Sequence, residues 1–151
     1  LHDFINDLKQ QHTFHIVNEY CHPNFRHEFA LSRLKSEGYR MALCSNSIRR
    51  SVDLMMELSN LSEYFDITLS NEDVTHPKPN PQIYLLAMNK LGISADHCLI
   101  VEDNDNGIKA AKAAGGSLLR VQSPQDVTYD RIKKAIKSAD RHRIQQIEQD
   151  S

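Results

Sequence analysis

The stretch 98–115, CLIVEDNDNGIKAAKAAG, decides how the chain folds. Its first four residues, CLIV (98–101), are an unbroken apolar run of strand length, as in a strand buried on both faces. The run stops at two adjacent acids, Glu102 and Asp103, and a polar turn follows through Asn104, Asp105 and Asn106. NGIKAAKAAG (106–115) then reads as a helix whose small side chains let it lie close against a sheet. A buried strand that passes through a polar turn into a close-packing helix is part of a βαβ unit.

The same rhythm extends in both directions. Downstream, SLLRV (117–121) is a strand, and 126–139 is an amphipathic helix with Ile132, Ala135, Ile136 and Ala139 on one face. The end, DRHRIQQIEQDS (140–151), is polar enough to predict a frayed tail. Upstream, NFRHEFALSRLKSEG (24–38) is a helix with Ala30, Leu31 and Leu34 on one face, stopped by Gly38 in the left-handed conformation. YRMALC (39–44) is a strand, 48–58 a helix striped by Ile48, Val52, Met55 and Met56, and FDITLS (65–70) a strand. Asn80 and Pro81 open the next helix as N-cap and first residue; Ile83, Leu86, Ala87 and Leu91 form its stripe, and Gly92 ends it. Strands alternating with helices predict an α/β fold on a parallel sheet. Residues 1–22 do not join this rhythm and read as a helix of a separate element.

Composition narrows the function classes. The chain has 151 residues, 40% hydrophobic and 25% charged, with a net charge of −2. That length suits one domain with a real core. The charge gives no footprint for nucleic acid or for an anionic membrane surface. No apolar run approaches the ~20 residues that span a bilayer, and LHDFINDLKQQ (1–11) lacks the pattern of a signal peptide. Three cysteines, Cys21, Cys44 and Cys98, with no CxxC pair, argue against a disulfide framework or a structural zinc site. Cys44 and Cys98 sit in apolar runs as small hydrophobes, so a reduced, cytoplasmic setting is expected. His12, His15 and Cys21 fall close enough to consider a metal, but no spacing completes a site, and a polar, half-exposed segment is the simpler reading.

Ligands of open parallel sheets bind beyond the carboxyl ends of the strands. After YRMALC come Ser45, Asn46 and Ser47; after FDITLS and its loop comes Lys78; after CLIV come Glu102 and Asp103. Each has an ordinary explanation. The first group suits a turn and N-cap, Lys78 a loop, and the acid pair the cap of the helix that starts near Asn106. However, Pro79 and Pro81 stiffen the backbone around Lys78, which suits a fixed charge. Two acids at the end of an apolar strand are an electrostatic liability unless a cation or lysine offsets them. Hard carboxylate oxygens suit Mg²⁺, one acid ligating directly and the other acting from beside it. Together, hydroxyl, ammonium and metal-binding acid form a site for a phosphoryl group.

These residues carry a family resemblance. The chain from about residue 24 to 139 resembles the haloacid dehalogenase-like hydrolases, in particular the phosphatase and β-phosphoglucomutase-like branch. MALCSNS (41–47) is similar to the family's second motif, HPKPNPQIYLLAMNKLG (76–92) to its third, and CLIVEDNDNGIKAAKAAG to its fourth, with Asn104 where Ser is usual. The resemblance implies a three-layer Rossmann-like core over 23–139, with 1–22 the remnant of a helical cap and 140–151 a polar tail. It implies that Ser45 and the Asn46 backbone hold phosphoryl oxygens, that Lys78 is the motif lysine, and that Asp103 binds Mg²⁺ with Glu102 assisting. The substrate would be a small phosphorylated metabolite, with no nucleic-acid or membrane partner.

The family's first motif, an apolar strand ending in Asp-x-Asp, has no match here. Asp3 and Asp7 lie in the helical pattern LHDFINDL (1–8). That motif supplies the nucleophile of an aspartyl-phosphate route and the central strand of the sheet, so the chain by itself is expected to be inactive. With no Met at position 1, a start partway through a longer gene product is expected. A non-catalytic relative that binds a phosphorylated ligand is the alternative. Dehalogenation leaves the acid pair unexplained, and a phospho-acceptor receiver domain places its acids before the hydroxyl and lysine instead of after them.

Overall fold

The computed structural model describes residues 23–150. The helix expected in 1–22, the histidines and Cys21 within it, and the cap assignment lie outside the described residues.

Helix α1 (Phe25–Ser36) begins where the Asn24 side chain accepts from the backbone N–H groups of Arg26 and His27, and it buries Ala30, Leu31 and Leu34 as the pattern predicts. Strand β1 (Ala42–Cys44) leads to α2 (Arg49–Ser59), and β2 (Ile67–Leu69) leads through a long polar loop to α3 (Gln82–Leu91). Strand β3 (Leu99–Glu102) feeds α4 (Asp105–Ala114), and β4 (Ser117–Arg120) precedes α5 (Tyr129–Asp150). Gly92 ends α3 at φ 69°, where a side chain would be strained.

The strands are parallel and form two pairs. Cys44 lies opposite Leu69 in the β1–β2 pair, and Glu102 opposite Arg120 in the β3–β4 pair. Side-chain alternation along β1 divides the core. Cys44 faces the cluster built by Ile83, Tyr84, Ala87 and Met88 of α3, Ala110, Ala111 and Ala114 of α4, and Ile100 of β3. Leu43 faces the opposite cluster, with Leu31 of α1 and Val52, Met55 and Met56 of α2. Helix α5 lies against α1 and the β3–β4 pair. Helices therefore cover both faces, giving the expected three-layer α/β architecture. The alanines of α4 are what let it approach the strands, since Ala110 and Ala111 are fully buried.

β1 and β3 are not hydrogen-bonded to each other. A cavity of about 420 Å³ separates them, lined by Leu43, Cys44, Ile100 and Glu102 among others. For that reason CLIV is not buried on both faces as expected: Ile100 and Glu102 are buried, while Leu99 and Val101 are half-exposed. Two boundaries also move. Pro124–Asp126 form a tight 3₁₀ turn, so α5 starts at Tyr129 rather than 126. The helix then continues to Asp150, where a frayed tail was expected after 139. Residues 140–150 contain no Gly or Pro to stop a helix, and their polarity matches their exposure, which extends to Ile144 and Ile147.

Candidate active site

Three loops at the carboxyl ends of β1, β2 and β3 meet at one edge. β1 ends at Cys44, and Ser45 follows with its backbone N–H donating to the Leu69 carbonyl at 3.0 Å, which fixes it beside β2. Ser45 is fully buried. Its Oγ accepts from the Ser47 N–H at 3.1 Å, so the local turn expected of this triplet is present. It is not the helix cap, a position that falls to Ile48 with no side-chain bond.

Lys78 reaches the same point from the loop after β2. Its Nζ donates to the Cys44 carbonyl at 2.8 Å and to Glu102 Oε2 at 3.1 Å. Both side chains of this ion pair are fully buried. The loop is held by Asn46, whose Oδ1 accepts from the Lys78 N–H at 3.0 Å and whose Nδ2 donates to the Lys78 carbonyl at 3.1 Å. The Lys78–Pro79 peptide is cis. Burial pulls the Lys78 ammonium below the usual lysine range, and the neighbouring Glu102 charge opposes that shift.

Glu102 is the last residue of β3 and is buried; Asp103 is the first beyond it and half-buried. Glu102 Oε2 also accepts from the Tyr84 hydroxyl at 2.5 Å, and Oε1 accepts from the Asp103 N–H at 3.3 Å. Asp103 Oδ1 is buried with no hydrogen-bond partner, and burial raises the pKa of its carboxyl. The acids are not the cap of the next helix. That task belongs to Asn104, whose Oδ1 accepts from the Gly107 N–H at 2.8 Å, and Asn caps as well as the more usual Ser.

An orphaned carboxylate oxygen in a partly buried site suits a hard cation. Among the described residues no three His, Cys, Asp or Glu side chains converge. That donor set fits Mg²⁺, which takes one or two carboxylates and fills the rest of its octahedron with water and phosphate oxygens. The arrangement thus combines a fixed buried ammonium, a buried hydroxyl and an unsatisfied carboxylate at the mouth of a parallel sheet, a set that can bind and polarise a phosphoryl group.

Of the five residues singled out from the sequence, Ser45, Asn46, Lys78 and Asp103 stand on these adjoining loops and Glu102 on the last position of β3. Sequence reasoning missed the Asn46 side chain as the clamp on the Lys78 loop, and it missed Tyr84 altogether. Tyr84 sits on the apolar stripe of α3, where an aromatic residue reads as core. Cys44 stays protonated, since burial pushes its thiol up to about 12.

The chain belongs to the haloacid dehalogenase-like hydrolase family, whose profile matches residues 1–121. It is 36% identical over 91 residues to a probable phosphatase, IndB, of Dickeya dadantii, a match that covers 60% of this chain and 40% of that protein. It is 33% identical over 123 residues to the pyrophosphatase PpaX of Oceanobacillus iheyensis, covering 78% of this chain and 58% of the relative. Among solved structures, a putative β-phosphoglucomutase of Thermotoga maritima superposes with a TM-score of 0.67 at 28% identity, covering 80% of this chain and 56% of that one. The chain thus spans roughly half the length of the relatives it matches. Among the described residues no helix is long and apolar enough to cross a membrane.

Proposed function

We propose that this site serves Mg²⁺-dependent phosphoryl transfer from a small phosphorylated metabolite in the cytoplasm, as a phosphatase or phosphomutase does. The observation that carries the proposal is Lys78, a fully buried ammonium fixed at the carboxyl edge between the Cys44 carbonyl and Glu102. Burying a charge is costly, and a lysine held this way is pre-organised for an anion in a dry site. Ser45 and the Asn46 backbone would hold the phosphoryl oxygens, and Lys78 would offset their charge. Asp103 would hold Mg²⁺, with Glu102 beside it. When bound, that ion supplies further positive charge to the phosphoryl group.

The route we propose runs through an aspartyl-phosphate. A carboxylate oxygen bonds to phosphorus as the bond from phosphorus to the substrate oxygen breaks, and the departing oxygen takes a proton from a neighbouring acid. Water, or a second substrate hydroxyl, then gives its proton back to that acid as its oxygen bonds to phosphorus, and the bond from phosphorus to the carboxylate oxygen breaks. The cavity between β1 and β3 lies between two strands that end at the site. A parallel strand seated there would bring such a carboxylate to Lys78. The 151-residue chain alone is therefore expected to be inactive.

The test is hydrolysis of p-nitrophenyl phosphate with Mg²⁺, by this chain and by the chain joined to the coding sequence upstream of Leu1. Activity in the extended protein, abolished by Lys78→Ala, supports the proposal. Activity of the extended protein that survives Lys78→Ala overturns it. Phosphate binding without turnover, together with an upstream sequence that has no apolar strand ending in Asp-x-Asp, would instead make this a phospho-ligand-binding relative.

A further inference from the structure

Glu102 has more asked of it than a buried counter-ion. Its Oε2 takes two donors, Lys78 Nζ at 3.1 Å and the Tyr84 hydroxyl at 2.5 Å, while its Oε1 accepts from the Asp103 N–H at 3.3 Å. One oxygen is thus directed at the lysine and the other at the backbone of the acid whose Oδ1 lacks a partner. An ammonium is a point charge that imposes little direction, and the terminal torsion of a glutamate is broad. Neither Lys78 nor the long 3.3 Å bond from the Asp103 N–H sets the carboxylate's rotation as sharply as a short, directional donor does. The Tyr84 hydroxyl is a directional donor on a rigid ring, and the ring is anchored in the core beside Cys44, Ile83 and Ile100. Gly107 closes the site from α4: a β-carbon there would fall 1.9 Å from the Glu102 carboxyl carbon.

Resting on the phosphoryl-transfer proposal, we infer that Tyr84 is a positioning residue. With Gly107 behind it, Tyr84 fixes the rotation of the Glu102 carboxylate so that one oxygen pairs with Lys78 and the other holds Asp103 in place to take the cation. In this assignment Tyr84 acts through Glu102, to which its hydroxyl donates. The ring also stands 5.1 Å from Lys78 Nζ, so Tyr84→Phe keeps the ring contact and removes only the hydroxyl bond.

Mn²⁺ is a direct probe, because its binding to the 151-residue chain can be titrated by electron paramagnetic resonance without turnover. Tyr84→Phe should weaken Mn²⁺ binding by about tenfold, as loss of a supporting hydrogen bond does at metal sites. Tyr39→Phe is the matched control. It deletes a hydroxyl that accepts from Lys133 Nζ at 3.1 Å, outside the site, and should leave Mn²⁺ affinity unchanged. A folded Tyr84→Phe that binds Mn²⁺ within twofold of wild type overturns the Tyr84 assignment while leaving the phosphoryl-transfer proposal standing. Absence of Mn²⁺ binding to the wild-type chain overturns the metal part of that proposal, and this assignment with it. Should Tyr84→Phe fail to fold, Gly107→Ala forces the same carboxylate out of the position in which the Tyr84 hydroxyl bonds it. Its expected loss of Mn²⁺ affinity supports the assignment, and unchanged affinity overturns it.

Discussion

Replacing Glu102 by Gln removes one charge from the Lys78–Glu102 pair and almost no volume. Gln can still accept from the Tyr84 hydroxyl, so what is lost is the compensation of a fully buried ammonium. Breaking a buried pair by removing one partner costs about 3–5 kcal/mol. With a urea dependence of about 2 kcal/mol per molar for a chain of this size, a loss of about 4 kcal/mol lowers the midpoint by about 2 M. The effect has a pH signature. Burial already holds the folded Lys78 below the ordinary lysine pKa, and removing Glu102 takes away the charge that opposes this shift. Between the folded value and the ordinary value of about 10.4, the unfolded chain binds a proton that the folded chain does not, so stability rises with pH there. The gap between Glu102→Gln and wild type should therefore narrow as the pH approaches 10. Tyrosine fluorescence and far-UV circular dichroism at one fixed protein concentration measure both, since the chain contains no tryptophan. The double variant Lys78→Met with Glu102→Gln should recover most of the stability, because no charge is left stranded, yet it should not bind inorganic phosphate. A Glu102→Gln midpoint within about 0.5 M of wild type, roughly 1 kcal/mol, refutes the reasoning.

Asn46→Ala removes two side-chain bonds to the Lys78 backbone. It should cost about 1–3 kcal/mol and weaken inorganic phosphate binding by calorimetry; unchanged phosphate affinity would show that the loop holds itself. His27 Nε2 donates to the Pro124 carbonyl at 2.7 Å, and burial lowers its pKa from 6.5. The unfolded chain therefore binds a proton first, and stability should fall as pH drops below about 6.5, levelling off under the folded pKa. Melting temperature against pH, compared with a shallower profile for His27→Gln, checks this. Among the described residues no strand pairs with the facing edges of β1 and β3, which flank an apolar cavity. The 151-residue chain should accordingly self-associate with rising concentration in sedimentation velocity; a monodisperse monomer at every concentration contradicts this.

The parts of the fold legible in the sequence are those written locally. Asn24, Gly38, Gly92 and the alanines of α4 each act on their own helix, so the order of helices and strands follows from pattern alone. Boundaries drift where tertiary contacts or their absence decide. The capping bond of Asn80 to the Gln82 N–H is present, yet α3 starts one residue later than the pattern places it. Helix α5 continues past Ala139 because no Gly or Pro stops it, although Ile144 and Ile147 are left exposed. CLIV is partly open because strand burial depends on a neighbour that no local pattern describes.

The site divides in the same way. Strand-end chemistry marks Ser45, Lys78, Glu102 and Asp103, because a polar residue after an apolar run is visible in sequence. What makes them one site is a set of bonds between distant residues: Asn46 to Lys78 across 32 positions, Lys78 to Glu102 across 24, and Tyr84 to Glu102 across 18. Asn46 reads as turn, Tyr84 as core, and Gly107 as a residue allowing close packing. Each assignment is correct locally and omits the partner. Gly107 holds the clearest signal, since a glycine inside an alanine-rich helix five residues after an acid implies something occupying the space its β-carbon would fill. In the fold that occupant is the Glu102 carboxylate, and the close-packing helix that first revealed the sheet also forms the back wall of the site.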